Sequence, residues 1–268
     1  MSHWSADWLV IVAYLALACL HLVGLRRVRA DQGSGTAVPR SGLPADLVRE
    51  AVAFQAGLLV IVLALVSPVS YWAGVYIAAR AFQDLMLGIF APPLLVLGAP
   101  WLVFAALRSS RVSKPEARDK PQWWAARPAA AVVVFNVVWI GWHLPVLYNL
   151  VQTSAPARAA AYLTYVATGV LFWLQLIGSR PYAPRAAHLY RVILLVATFT
   201  VNSLFGMVLV FGSKVLYTAY SSASDHGVRL LSDQQLAGGE LWTVVIAPFL
   251  IAAVALIVAG LLRAAEEL

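Results

Sequence analysis

The chain has 268 residues, of which 62% are hydrophobic and only 12% charged, with a mean hydropathy of +0.80. Soluble domains carry roughly 25% charged residues, so this composition excludes a water-soluble globule and makes the bilayer the solvent of one membrane domain filling the chain. The net charge of +7 does not point to nucleic acid, because the basic residues lie between apolar runs instead of forming one stripe with interleaved aromatics.

In chain order, the first predicted span covers 8–25 and stops at Arg26-Arg27-Val28-Arg29. It contains the single cysteine, Cys19, which rules out a disulfide framework or a CxxC site. A Gly/Ser/Pro-rich loop over 30–45 follows. The second span is predicted over 51–66 and the third over 82–97, with Pro92-Pro93 bending the third because proline lacks an amide donor. The segment from Arg108 to Arg127 carries six basic residues together with Trp123 and Trp124, as expected of a surface loop with an interfacial belt. The remaining spans are predicted over 129–141, 159–177, 192–211 and 236–262.

Seven apolar runs, read as crossings of a hydrocarbon core of about 30 Å, make the expected fold an all-α bundle of seven transmembrane helices. Counting Lys and Arg by alternate loops gives fifteen on one side and four on the other. Basic residues are retained in the cytoplasm during insertion, so the expected orientation is amino terminus outside and carboxyl terminus cytoplasmic, in a bacterial cell membrane.

Ionisable groups at membrane depth cost about 2.5–3.5 kcal/mol each on insertion scales, which makes their positions informative. Arg80, Gln83 and Asp84 open the third predicted span, His143 closes the fourth, and Asp233, Gln234, Gln235 and Glu240 open the seventh. On the expected topology all lie near the outer face. They form either a pocket for an ion, a metal or a partner's loop, or a set of groups in which Arg80 and Asp84 neutralise each other and His143 and Glu240 sit among headgroups. His21 is read as a buried, hydrogen-bonded histidine, Met86 and Met207 as core packing, and Asn202 as a link between helices. There is no GxSxG, HExxH or P-loop, so the expectation is a non-enzyme.

From about Phe54 to Leu262 the sequence resembles the CtaG-type cytochrome c oxidase assembly proteins of bacterial membranes. The markers are Ala91-Pro92-Pro93-Leu94-Leu95-Val96-Leu97-Gly98-Ala99-Pro100, then His143-Leu144-Pro145 with Leu147-Tyr148, Gly169-Val170-Leu171-Phe172-Trp173, and Asp233-Gln234-Gln235-Leu236-Ala237-Gly238. The resemblance implies a seven-span accessory protein that helps mature a haem-copper oxidase, with copper as the implied cofactor or cargo, His143 as the candidate metal ligand, and oxidase subunits or a copper chaperone as partners. Two departures stand against family-type metal binding. Arg80 and Asp84 replace the family's paired histidines, and Ala161 and Tyr162 replace a Glu-His pair. Arg80 is a permanent cation that repels a metal. A divergent member that binds a partner through an ion-pair network of Arg80, Asp84 and Asp233 is the resulting expectation. A transporter or ion pathway, and a structural subunit of a respiratory complex, remain as alternatives.

Overall fold

The computed structural model describes residues 8–33, 45–108, 127–179, 182, 184 and 186–266. Most of the Gly/Ser/Pro-rich loop and of the basic segment, with Trp123 and Trp124, lies outside the described residues. Among the described residues the chain is helical, with no strand beyond an isolated bridge between Ser179 and Tyr182. The α-helices are α1 (Trp8–Gly33), α2 (Ala45–Val66), α3 (Pro68–Trp72), α4 (Ile77–Leu85), α5 (Ala91–Leu97), α6 (Pro100–Arg108), α7 (Pro128–His143), α8 (Pro145–Thr153), α9 (Ala155–Leu176), α10 (His188–Phe211), α11 (Leu230–Thr243) and α12 (Ile246–Glu266). A π-helical turn, Met86–Phe90, joins α4 to α5, and a 3-10 helix, Thr218–His226, lies between α10 and α11.

Six helical stretches are long and apolar enough to cross a membrane, and a seventh follows if α7 and α8, bent by 68° to each other, are taken as one span. The bend has a local cause. Pro145 removes an amide from the helical ladder, and Leu144 before it is held extended at φ −62°, ψ 139°. The third crossing stretch runs Ile77–Leu97 and begins five residues before the predicted start, because Arg80 interrupts an otherwise apolar first turn, Ile77-Ala78-Ala79. Pro92 and Pro93 do not break this span. They fall in the first turn of α5, where the π-helical turn has shifted the hydrogen-bond phase and proline is tolerated.

The main core lies among α4, α7, α9 and α10, where Phe135, Trp139, Tyr165, Phe172 and Trp173 are buried. Small residues let the helices approach. A Cβ on Gly169 would sit 2.7 Å from the Gly88 carbonyl oxygen and 2.6 Å from Pro92 Cγ, so α9 packs directly on the π-helical turn. Gly206 and Gly238 oppose each other in the same way, a Cβ on either meeting the other's carbonyl oxygen at 2.8 and 2.7 Å. Asn202 of α10 donates to Asn136 Oδ1 of α7 at 3.3 Å and to the Thr198 carbonyl at 2.8 Å, linking two spans. By contrast α1 is lightly packed, held through Leu25 and Val28 against Leu47 and Val103. His21 is fully buried and stacks on Phe54 at 4.1 Å. The Gly98 backbone is the ring's hydrogen-bonding neighbour, in a contact short of good hydrogen-bond geometry, so burial is as expected and the hydrogen bond is weak.

Candidate functional site

The site forms where the start of α4 meets the carboxyl end of α7, beneath the 212–229 segment. Arg80 and Asp84 stand one turn apart on α4, and Arg80 Nε lies 3.0 Å from Asp84 Oδ1 with both side chains almost wholly buried. Arg80 also donates from Nη1 to Tyr162 Oη at 3.1 Å. That hydroxyl donates to Gln83 Oε1 at 2.8 Å, and Gln83 Nε2 donates to the Ala64 carbonyl at 2.6 Å. One chain of donors and acceptors therefore ties α4 to α9 and α2. The guanidinium carbon sits 4.8 Å from the centre of the Tyr162 ring, which adds a cation–π contact.

His143 is placed by the end of α7. Its Nδ1 lies 2.7 Å from the Trp139 carbonyl one turn back, and a carbonyl only accepts, so Nδ1 carries a proton. Nε2 faces Asp84 Oδ2 at 3.9 Å, too far for a hydrogen bond. Tyr165 of α9 is a further hydrogen-bond partner of Asp84, and its hydroxyl lies 3.4 Å from His143 Nδ1. His143 Nε2 and Tyr220 Oη are buried with no hydrogen bond among the described residues, while Arg80 Nε and the Asp84 carboxylate have each other, and Asp84 has Tyr165 as well. A buried polar group left unmatched costs about 1–3 kcal/mol, more for a charged one, which makes the pairing of Arg80 with Asp84 the main compensation at this centre.

Tyrosines close the site. Tyr217 donates to the His143 carbonyl at 2.8 Å, and Tyr148 packs on Tyr217 and Tyr220 with ring centres 4.2 and 5.6 Å apart. Burial pushes the phenols of Tyr217 and Tyr220 up from their ordinary range, which keeps them neutral and able to donate. The segment that carries them is pinned from two sides. Gln234 accepts from Leu216 N at 2.7 Å and donates to the Lys214 carbonyl at 3.0 Å, while Asn149 Oδ1 accepts from Ala219 N at 3.0 Å. Gln235 donates to the Gly212 carbonyl at 3.3 Å.

Of the residues singled out from the sequence, the structure brings Arg80, Gln83, Asp84 and His143 together. Gln234 and Gln235 hold the covering segment. Asp233 does not join the ion pair, which corrects the expected three-member network. Its carboxylate accepts from Ile77 N at 2.6 Å and Ala78 N at 3.2 Å. It therefore caps α4, whose own N-cap residue, Tyr76, supplies no side-chain bond. Glu240 lies two turns further along α11, half-buried, and makes no ion pair or hydrogen bond with the Arg80–Asp84–His143 group. Sequence reasoning missed the tyrosines that line the site. Tyr148 follows the His143-Leu144-Pro145 bend, and Tyr217 and Tyr220 are spaced three apart in a short polar stretch; either could have served as a signal.

The donor set does not fit a copper ion. It offers one imidazole and one carboxylate already paired with a guanidinium, and among the described residues no three His, Cys, Asp or Glu side chains group together.

The chain is a helical bundle with six or seven candidate membrane spans around a buried polar centre, and the sequence comparison supplies the class. The model of the cytochrome c oxidase caa3 assembly factor family matches residues 19–261, and the chain belongs to that family. The chain is similar to the uncharacterized protein Mb0105 of Mycobacterium bovis, 26% identical over 96% of this chain and 39% of that protein. It is also similar to the uncharacterized protein ML1998 of Mycobacterium leprae, 24% identical over 94% of this chain and 38% of that protein. The chain thus spans about two fifths of the length of the curated relatives it matches. No solved structure matches it.

Proposed function

We propose that this protein is a non-catalytic assembly factor for a haem-copper oxidase, and that it engages its partner at the Arg80–Asp84–His143 site without holding copper there. The family supports the assembly role. The observation that carries the second half is the Arg80–Asp84 pair at 3.0 Å, which places a permanent cation where a metal would need a neutral or anionic donor. On the count of basic residues, the end of the bundle that holds this site under its tyrosine cover faces the outer side of a bacterial plasma membrane, the side to which a partner's extramembrane loop has access. Deleting the protein and measuring the haem and copper content of the oxidase is the test. Loss of assembled oxidase, restored by the unaltered protein and not by Asp84→Ala, is the expected result. Unchanged oxidase activity and metal content on deletion would remove the assembly role. Copper titration of the purified protein tests the other half: stoichiometric binding at micromolar copper, abolished by His143→Ala, would restore copper delivery.

One observation favours a second reading, that of an ion pathway. Buried polar groups beside a π-helical turn within a span resemble the polar groups of transporters. Flux in proteoliposomes sensitive to Asp84→Asn would select it.

A further inference from the structure

A second cluster of charge lies at the opposite end of the bundle, at the start of α10. His188 is the first residue of that helix, Arg191 stands one turn inside it, and Arg263 comes from the last turn of α12. His188 lies within the electrostatic reach of both arginines, and Arg191 within that of Arg263. Gly260, one turn before Arg263, brings the helices together: a Cβ there would lie 3.2 Å from His188 Cβ. Arg191 is only 6% exposed, yet its guanidinium is only partly used. Nη1 donates to the Leu176 carbonyl at the end of α9 at 2.7 Å, while Nε is buried with no partner. Among the described residues no carboxylate pairs with any of the three side chains.

Three cationic or cation-capable groups, the amides and dipole of a 24-residue helix, and an unmatched buried donor make a cradle for an anion. We propose that this cradle binds the phosphate of an anionic lipid headgroup. The surroundings argue for a lipid over a free phosphate. Leu189 and Ile193 on α10 and Leu261 and Leu262 on α12 are exposed beside the cluster, on helices that cross the membrane. A shallow apolar groove of about 670 Å³ along α12, lined by Ile251, Val254, Val258 and Leu262, ends one residue before Arg263 and gives an acyl chain a path. Two oxygens of a phosphate suit the fork of an arginine, which would supply the match that Arg191 Nε lacks.

The test is native mass spectrometry of the full chain in detergent, with phosphatidylglycerol or phosphatidylcholine added in equal amounts, and a parallel arm with inorganic phosphate. A surface cation near a membrane contributes a factor of about five to anionic lipid binding. Preferential retention of phosphatidylglycerol by at least that factor is expected, reduced severalfold in a His188→Gln, Arg263→Gln double variant. Arg191→Lys, which keeps the charge and loses the fork, is expected to weaken retention while the melting temperature stays close to that of the parent. Equal retention of the two lipids by the parent protein overturns the proposal. So does displacement of the lipid by millimolar inorganic phosphate, which would make the ligand a soluble anion.

Discussion

At the scale of single residues the buried ion pair is the most exposed to test. Taking two charges out of water costs several kcal/mol per ion, and the attraction between them repays this only while both remain. Asp84→Ala leaves the Arg80 guanidinium buried and uncompensated, so a destabilisation of about 3–5 kcal/mol is expected, seen as a lower melting temperature in detergent. The Arg80→Met, Asp84→Leu double variant removes both charges, and its loss should be smaller than that of Asp84→Ala alone. Equal losses would show that the pair is not coupled. Asp233 works differently, since its partners are two backbone amides of α4. Asp233→Ala should cost about 1–2 kcal/mol, the range of a lost helix cap, while Asp233→Asn keeps an acceptor and should recover most of it. Both roles were only half legible in the sequence. The i, i+4 spacing of Arg80 and Asp84 predicts their pairing, but nothing local says that an aspartate about 150 positions later would cap the same helix.

Helices and segments tell a similar story about what sequence patterns carry. The apolar runs mark the spans because lipid offers the backbone no hydrogen bonds, so each crossing must satisfy its backbone within helices, with breaks only where protein covers them. Helix ends are less visible: α1 continues to Gly33 and α10 begins at His188, beyond the apolar runs in each case, because intrahelical bonds persist into polar sequence. The covering segment was legible only as a polar stretch, since its place over the site depends on Gln234, Gln235 and Asn149 reaching it from elsewhere. Its tyrosines predict a pH dependence. Folding raises the Tyr217 and Tyr220 phenols above their unfolded value of about 10, so their contribution is complete below that pH and is lost as pH rises through the folded values. Stability should therefore fall above pH of about 10, and the fall should be shallower in a Tyr217→Phe, Tyr220→Phe variant. An identical decline in parent and variant would show that other groups set it. Gly206→Leu tests the α10–α11 contact, because the clashing atoms belong to backbone and cannot rotate away. The expected result is a loss of folded yield that Gly239→Leu, at a position with open space around it, does not reproduce.

For the whole molecule, the two ends of the bundle are chemically unlike, and that asymmetry is what joins site to function. One end holds the Arg80–Asp84–His143 centre under its tyrosine cover. The other holds the Arg191 cradle and, in sequence, most of the chain's Lys and Arg. The expectation that basic loops stay in the cytoplasm, with the first end outside and the second inside, requires that α7 and α8 count as a single crossing; six crossings would place the chain's two ends on the same side. Membrane-impermeant thiol labelling of intact cells decides between these. In a Cys19→Ser background, Ser222→Cys on the covering segment should react from outside, and Arg127→Cys before α7 should react only after the membrane is opened. If both react from outside, the α7–α8 bend is a re-entrant turn and not part of a span. The ion pair and its cover would keep their geometry in that case, but their access to an oxidase partner on the outer face would have no basis.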